Sequence, residues 1–269
     1  MKNNIKKAII AGSLALAGYA VMSLFSERPD SDIVNRLGNR PALTAEQHAQ
    51  SRKYAVLING DTREKGSLHR ANILESYKTL RAMKADDRDI FILTTDYPRA
   101  DDGKSITTRA TGRNLIKVFD YLEKVCDSND TLTIYTTGHG GKEGNESILE
   151  LEDCKVYESE FADLITKTGF LDVLSVSDQC YSGGFAEAIS KIKGKKIMAI
   201  SSTDSSSLSE CEYFAQPFWC SFRSRVADYN GDGAVTADEA FTYAAAVNGE
   251  GYIFLSEELS KVVKTIPKK

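Results

Sequence analysis

The chain's 269 residues carry 34 Lys and Arg against 38 Asp and Glu, a formal net charge of −4. That length suits one globular domain with appendages and a sizeable core, and 42% hydrophobic with 27% charged residues is ordinary for a soluble domain. The acidic balance argues against nucleic acid as a partner, because such binders present a basic face.

Residues 1–25, MKNNIKKAIIAGSLALAGYAVMSLF, place Lys2, Lys6 and Lys7 before an uncharged run from Ala8 to Phe25. This is the pattern of a secretory signal or an uncleaved signal anchor. Cleavage after Gly18-Tyr19-Ala20 fits the small flanking residues, and the apolar run is just long enough to span a bilayer. The expected location is therefore periplasmic, extracellular or membrane-anchored, with residues 8–25 as the membrane contact. No cysteine follows the run, which excludes a lipoprotein anchor. Residues 26–52 are polar, contain Pro29 and Pro41, and read as a linker with one short helix near Thr44–Ser51. His48 is given no role. The domain proper is expected over residues 53–269.

From Lys53 onward strands and helices alternate. Lys53–Asn59 reads as a strand, and His69–Met83, with Ile73, Tyr77 and Leu80 at helical spacing, as a helix. A strand over Asp89–Thr94 and a helix over Thr108–Cys126 follow, the latter with Leu115, Val118, Phe119 and Leu122 on one face. Then come the strand Thr131–Thr137, a hairpin flank over Ser147–Val156, the helix Glu158–Thr168 and the strand Leu171–Ser177. FAEAISKIKG, after Gly184, reads as a helix ending at Gly194, and Lys196–Ser201 as a fifth strand. Such alternation predicts an α/β domain with a mainly parallel sheet covered on both faces.

Two strands end in residues that carry chemistry. LDVLSVS runs into Asp178, Gln179 and Cys180, with Gly183 and Gly184 just beyond; TLTIYTT runs into Gly138, His139, Gly140 and Gly141. If the strands are parallel neighbours, the thiol and the imidazole stand on one sheet edge, where ligands collect in open α/β sheets. A thiol becomes a nucleophile when a base takes its proton, and a glycine leaves its backbone N–H free to approach an oxyanion. A lone cysteine at a strand end is usually a small buried hydrophobe, and a lone histidine a satisfied polar group. The pairing at two strand ends tips the balance toward catalysis.

YTTGHGG followed by SDQCYSGGF resembles the histidine and cysteine motifs of the caspase–legumain clan of cysteine peptidases. YAVLING and LHRANILESYKTLRAM similarly resemble the first strand and helix of legumain-type enzymes. The resemblance implies a three-layer α/β/α caspase-like fold and a cysteine endopeptidase acting on a peptide or protein. In that reading Cys180 is the nucleophile, His139 the base, and the N–H groups of Gly140 and Cys180 hold the oxyanion. The serine-rich stretch Ser201–Glu212 would line the substrate cleft. In metacaspase-like relatives an acid at the position of Asp178 lines the specificity pocket, which implies cleavage after arginine or lysine. Leu68 stands where legumains have a pocket arginine, with His69 kept beside it, and Asn72 stands where metacaspases have a second pocket acid. His69, Asn72 and Asp178 are thus the candidate substrate-binding residues; the competing reading has Asp178 capping its own loop. A transamidase would use the same dyad, and a calcium-stabilised binding protein on a degenerate peptidase fold is the alternative of a different class.

A second constellation is independent of the first. Asp228–Glu239, DYNGDGAVTADE, places Asp228, Asn230 and Asp232 at alternate positions, then Gly233 at the turn, the Ala234 carbonyl, Thr236 and Glu239. Residue types and spacing match an EF-hand calcium loop, so one Ca2+ is expected here in a structural or regulatory role. The five cysteines are an odd number, leaving at least one thiol free in an exported chain. With Cys180 set aside, Cys211 and Cys220 are the expected disulfide; Cys126 with Cys154 follows only by elimination, and a reduced protein would keep all five as thiols.

Overall fold

The structure, a computed structural model, describes residues 31–38, 40, 43–44, 46, 49–61, 67–96, 105–209, 211–249 and 251–260. The expected signal or anchor segment and His48 lie outside the described residues. Among the described residues no helix is long and apolar enough to cross a membrane.

The protein is α/β, built on a seven-stranded sheet. Its strands are β1 (Lys53–Asn59), β2 (Ile90–Thr94), β3 (Ile106–Arg109), β4 (Thr131–Thr137), β8 (Asp172–Ser177), β9 (Lys196–Ser201) and β10 (Tyr252–Leu255). Their order across the sheet is β10-β9-β8-β4-β1-β2-β3, and all neighbours are parallel except the edge strand β10 against β9. A small antiparallel sheet of β5 (Gly140–Glu143), β6 (Glu146–Glu150) and β7 (Lys155–Tyr157) is inserted directly after His139.

The central strands are apolar on both faces because helices cover both. In β1, Tyr54, Val56 and Ile58 enter one core and Ala55 and Leu57 the other. The first core is closed by α1 (Ser31–Gly38), α3 (Gly112–Val125), α4 (Glu158–Thr166) and α5 (Ser182–Ser190), through Ile33, Leu115, Phe119, Phe161, Phe185 and Ile189. The second is closed by α2 (Ser67–Ala82), α6 (Cys211–Ser224) and α7 (Ala237–Asn248), through Ile73, Leu80, Phe214, Phe218, Trp219 and Ala244. The result is a three-layer α/β/α arrangement.

Two expectations change. Residues expected as a linker contribute α1, whose Ile33 is fully buried and whose Arg36 guanidinium donates to the carbonyls of Ser105 and Thr107 at 2.7 and 3.1 Å. Arg40 and Arg52 continue the attachment by converging on Asp89. The helix expected from Thr108 instead starts at Gly112, after a cap in which the Thr111 hydroxyl accepts from Asn114 N. The β-branched Ile106-Thr107-Thr108 pairs with β2 as the edge strand β3.

Candidate active site

The register of the parallel strands sets the site. Asn59 of β1 pairs with Thr137 of β4, and Thr136 of β4 with Ser177 of β8. Two residues past Asn59 is Asp61 and two past Thr137 is His139; three past Thr136 is His139 and three past Ser177 is Cys180. Asp61, His139 and Cys180 therefore leave three adjacent strands at one level of the sheet edge, as the sequence analysis expected for the last two.

Asp61 is the member that sequence reasoning missed. Its Oδ1 lies 3.1 Å from His139 Nε2, and its side chain is 2% exposed against 23% for His139. The two atoms are within ion-pair distance but are not aligned as a hydrogen bond. Asp61 is itself held: its N–H donates to Asn59 Oδ1 at 3.0 Å and its carbonyl accepts from the Thr95 hydroxyl. Its Oδ2 lies 3.5 Å from Nε2 of His69, whose Nδ1 is 2.7 Å from the Thr137 hydroxyl. The signal was present in Asn59-Gly60-Asp61, since a third strand ends in polar residues just as the histidine and cysteine strands do.

The glycines of the motifs have separate tasks. Gly138 has φ +119°, and a Cβ there would come within 2.8 Å of the Asp61 nitrogen, so only glycine lets β4 turn beside β1. A Cβ on Gly140 would collide with the Cys180 carbonyl, which puts this backbone against that of Cys180. Glu150 N donates to His139 O at 2.9 Å, so 139 and 150 form a hydrogen-bonded pair and Gly140 opposite Leu149 does not. The Gly140 N–H is therefore directed away from β6. Gly183 and Gly184 admit the backbone of Asp204 and Ser205 on one side and Ser147 with Glu158 on the other.

Cys180 sits half-buried between β8 and α5, and Tyr181 takes the left-handed conformation, φ 60°, to make that turn. The first turn of α5 follows at once, and the positive end of a helix dipole favours an anion there. The Cys180 Sγ accepts the Ser209 N–H at 3.4 Å, so the serine-rich stretch touches Cys180 through Ser209.

The three residues expected to bind substrate are all buried. Asp178 is fully buried, its Oδ2 accepting from the Tyr135 hydroxyl at 3.2 Å and its Oδ1 from the Ser209 hydroxyl at 3.3 Å. Burial pushes its carboxyl up to about 7, against the opposing pull of the Ser202, Tyr135 and Ser209 hydroxyls. Its partners come from β4 and the cleft loop, so it faces the site while serving that loop. His69 belongs to the Asp61 cluster, and Asn72, three residues along α2, is 1% exposed.

The expected Cys211–Cys220 disulfide is absent: Cys220 is a free thiol, as are Cys126, Cys154 and Cys180. Cys211 and Cys220 both belong to the one helix α6. Nine residues at 1.5 Å rise separate them by about 13 Å along the axis, beyond the roughly 7 Å limit for Cα atoms of a disulfide. Cys220 Sγ instead donates to Glu75 at 3.4 Å.

The expected calcium loop joins α6 to α7. Asp228, Asn230 and Asp232 each accept a backbone N–H from farther round the loop, from Gly233, Asp232 and Ala234 at 3.0, 2.7 and 2.9 Å. Gly233 makes the turn with φ +87°. This leaves Asp228 Oδ1 buried without a hydrogen-bond partner, an oxygen suited to a hard cation. Glu239 is engaged otherwise. It closes a capping box with Thr236, whose N–H and hydroxyl hold its carboxyl below the usual range, and it accepts from Tyr229 and Asn230 N–H. Among the described residues no three His, Cys, Asp or Glu side chains converge as metal ligands.

No protein-family model matches the chain, and no curated protein matches it.

Proposed function

We infer that the protein is a cysteine endopeptidase of the caspase–legumain clan, using Cys180 and His139 with Asp61 as orienting carboxylate, and cutting after lysine or arginine. The observation that carries the reading is the single row of Asp61, His139 and Cys180 on three adjacent parallel strands, with the carboxylate 3.1 Å from the imidazole. Asp61 fixes the His139 tautomer with the proton on Nε2, and Nδ1 takes the Cys180 proton as the sulfur attacks the scissile carbonyl. The N–H groups of Gly140 and Cys180 hold the oxyanion. Collapse expels the amine, which receives the proton from His139, and a water deprotonated by His139 then cleaves the thioester.

The basic preference is supported by Asp178, a buried acid two residues before the nucleophile whose partners are the hydroxyls of Tyr135 and Ser209. A guanidinium or ammonium meeting it forms an ion pair that an acidic or amide side chain cannot. A calcium ion at the loop joining α6 and α7 completes the proposal. Asp228, Asn230, Asp232, Thr236, Glu239 and the Ala234 carbonyl would hold it, and it would brace those two helices against the sheet.

Fluorogenic peptides differing only in the residue before the cut test the reading. Arginine and lysine peptides should be cleaved, and Cys180→Ala should remove the activity by several orders of magnitude while leaving a folded chain. Turnover retained by folded Cys180→Ala protein would end the peptidase reading; faster cleavage after asparagine or aspartate would end the basic preference alone.

A further inference from the structure

Residues 202–209 pass beside Cys180 and touch it through Ser209. The Tyr181 N–H donates to Ser207 O at 2.9 Å, and Lys142 Nζ donates to Ser205 O at 3.3 Å. At the end of the segment Ser209 makes the contacts that matter. Its N–H points at Cys180 Sγ at 3.4 Å, and its hydroxyl bonds both Asp178 Oδ1 at 3.3 Å and Ser202 Oγ at 2.7 Å. One residue thus touches the nucleophile and the buried acid.

We propose that Ser209 is a specificity-determining gate: it closes the resting site over Cys180 and Asp178, and a substrate opens it by putting its own basic side chain on Asp178 in place of the Ser209 hydroxyl. The substrate class rests on the peptidase reading. Three features lead to the gate. Asp178 is fully buried and its hydrogen-bond partners are neutral hydroxyls, so its ionised form has no counter-charge among them and a cation brought beside it would stabilise that form. Of its three hydroxyl partners, Tyr135 is within β4, and Ser202 follows β9, pinned by its N–H to Ser177 O at 3.1 Å. Ser209 stands at the far end of the loop and can leave without breaking the sheet. A guanidinium or ammonium makes stronger, charge-assisted bonds to a carboxylate than a serine hydroxyl does. Side chains that cannot bond Asp178 leave the gate shut, so discrimination comes from opening as well as from binding.

The rate of Cys180 alkylation by iodoacetamide tests this on the full chain, with peptide mapping to score the other cysteines separately. Methylguanidinium, small enough to reach Asp178 without covering the sulfur, should raise the wild-type rate roughly ten-fold, the factor that losing one or two ordinary hydrogen bonds sets. Methylurea, its neutral counterpart, should not. Ser209→Ala should alkylate fast without methylguanidinium and gain little from it, whereas Ser209→Thr, which keeps the hydroxyl, should behave as wild type. A Ser209→Ala rate equal to wild type, or a wild-type rate that ignores methylguanidinium while arginine peptides are cleaved, overturns the gate and leaves the peptidase reading standing. Acceleration by methylguanidinium in a chain that cleaves no peptide supports the gate and ends the peptidase reading instead.

Discussion

Asp61 and Asp89 stand at opposite ends of the same pair of parallel strands, one just past β1 and the other just before β2. Both side chains are almost fully buried, and each is approached by two basic residues. Asp89 meets the guanidinium groups of Arg40 and Arg52 at 2.9 and 2.6 Å, and Arg40 also lies over the rings of Phe91 and Tyr121. Asp61 meets the imidazoles of His139 and His69 at 3.1 and 3.5 Å. Guanidinium is charged at every working pH, so the Asp89 cluster is a fixed clasp holding the segment from α1 to β1 on the domain. Imidazole, unlike guanidinium, can exist as a neutral base, which is what the proposed reaction asks of the Asp61 cluster. In the proposed reading, the partner a buried carboxylate is given decides whether it clasps the fold or serves the reaction.

Replacing each acid separates the two roles. Asp61→Asn should lower kcat on an arginine peptide roughly a thousand-fold, through loss of the His139 tautomer and of support for its charged form. Thermal stability should change far less. Asp89→Ala should do the reverse. Removing one side of a buried ion pair strands the two arginines and should cost about 3 kcal/mol in urea unfolding, with kcat per folded molecule unchanged. A kcat loss under ten-fold in Asp61→Asn would reduce that acid to a second clasp and erase the contrast.

The sequence carried the two ends unequally. β1, β4 and β9 are found over the residues expected, because strands buried on both faces read as unbroken apolar runs between turn residues. Cys180 and His139 were readable because each follows such a strand and is marked by glycines. Asp61 was harder: it serves His139, 78 residues onward, and nothing local declares the pairing. Ser209 and Asp178 present the same difficulty, being joined only by the fold of the cleft loop. α1 was read as linker because it is only eight residues long with prolines on either side, although its apolar residues do fall at helical spacing, and its attachment comes from Arg36, Arg40 and Ile33 meeting distant strands. The disulfide expectation failed because a serine-rich stretch hid the start of α6.

Asp178 extends the comparison, being a buried acid partnered by hydroxyls. In the unfolded chain it titrates near 3.9, whereas burial raises it to about 7 in the fold. Between these values the native state keeps a proton that the unfolded state has released. The stabilisation is complete below about pH 4, falls as pH rises through the window, and levels off above the folded value. Wild-type protein should lose roughly 2 kcal/mol between about pH 5 and pH 7 from this residue alone. Asp178→Asn should lack that slope in urea titrations across the range. Parallel pH profiles for the two proteins would mean that Asp178 is ionised in the fold and already has its cation.

Asp228 is the weakest case and the one that looks outside the chain. One carboxylate oxygen takes the Gly233 N–H and the other is buried with no hydrogen-bond partner, so the cation that Asp89 receives from arginine would here come from solution. A lone loop is expected to bind in the weaker part of the calcium range, about 10⁻⁴ to 10⁻³ M. At ten times Kd, binding to the folded state adds about 1.4 kcal/mol, which for a domain of this size raises Tm by about 3–5 °C. Calcium should give that shift in thermal melts and Asp228→Ala should abolish it; a shift that survives Asp228→Ala places the ion elsewhere. Glu239→Gln then separates the two roles of the last residue in the loop. Glutamine serves a capping box as well as glutamate does, so the variant should melt like wild type without calcium. It cannot supply a bidentate carboxylate, so the calcium shift should shrink. If the variant melts lower without calcium and keeps the full shift with it, Glu239 belongs to the helix cap alone and the ion is held by the first half of the loop.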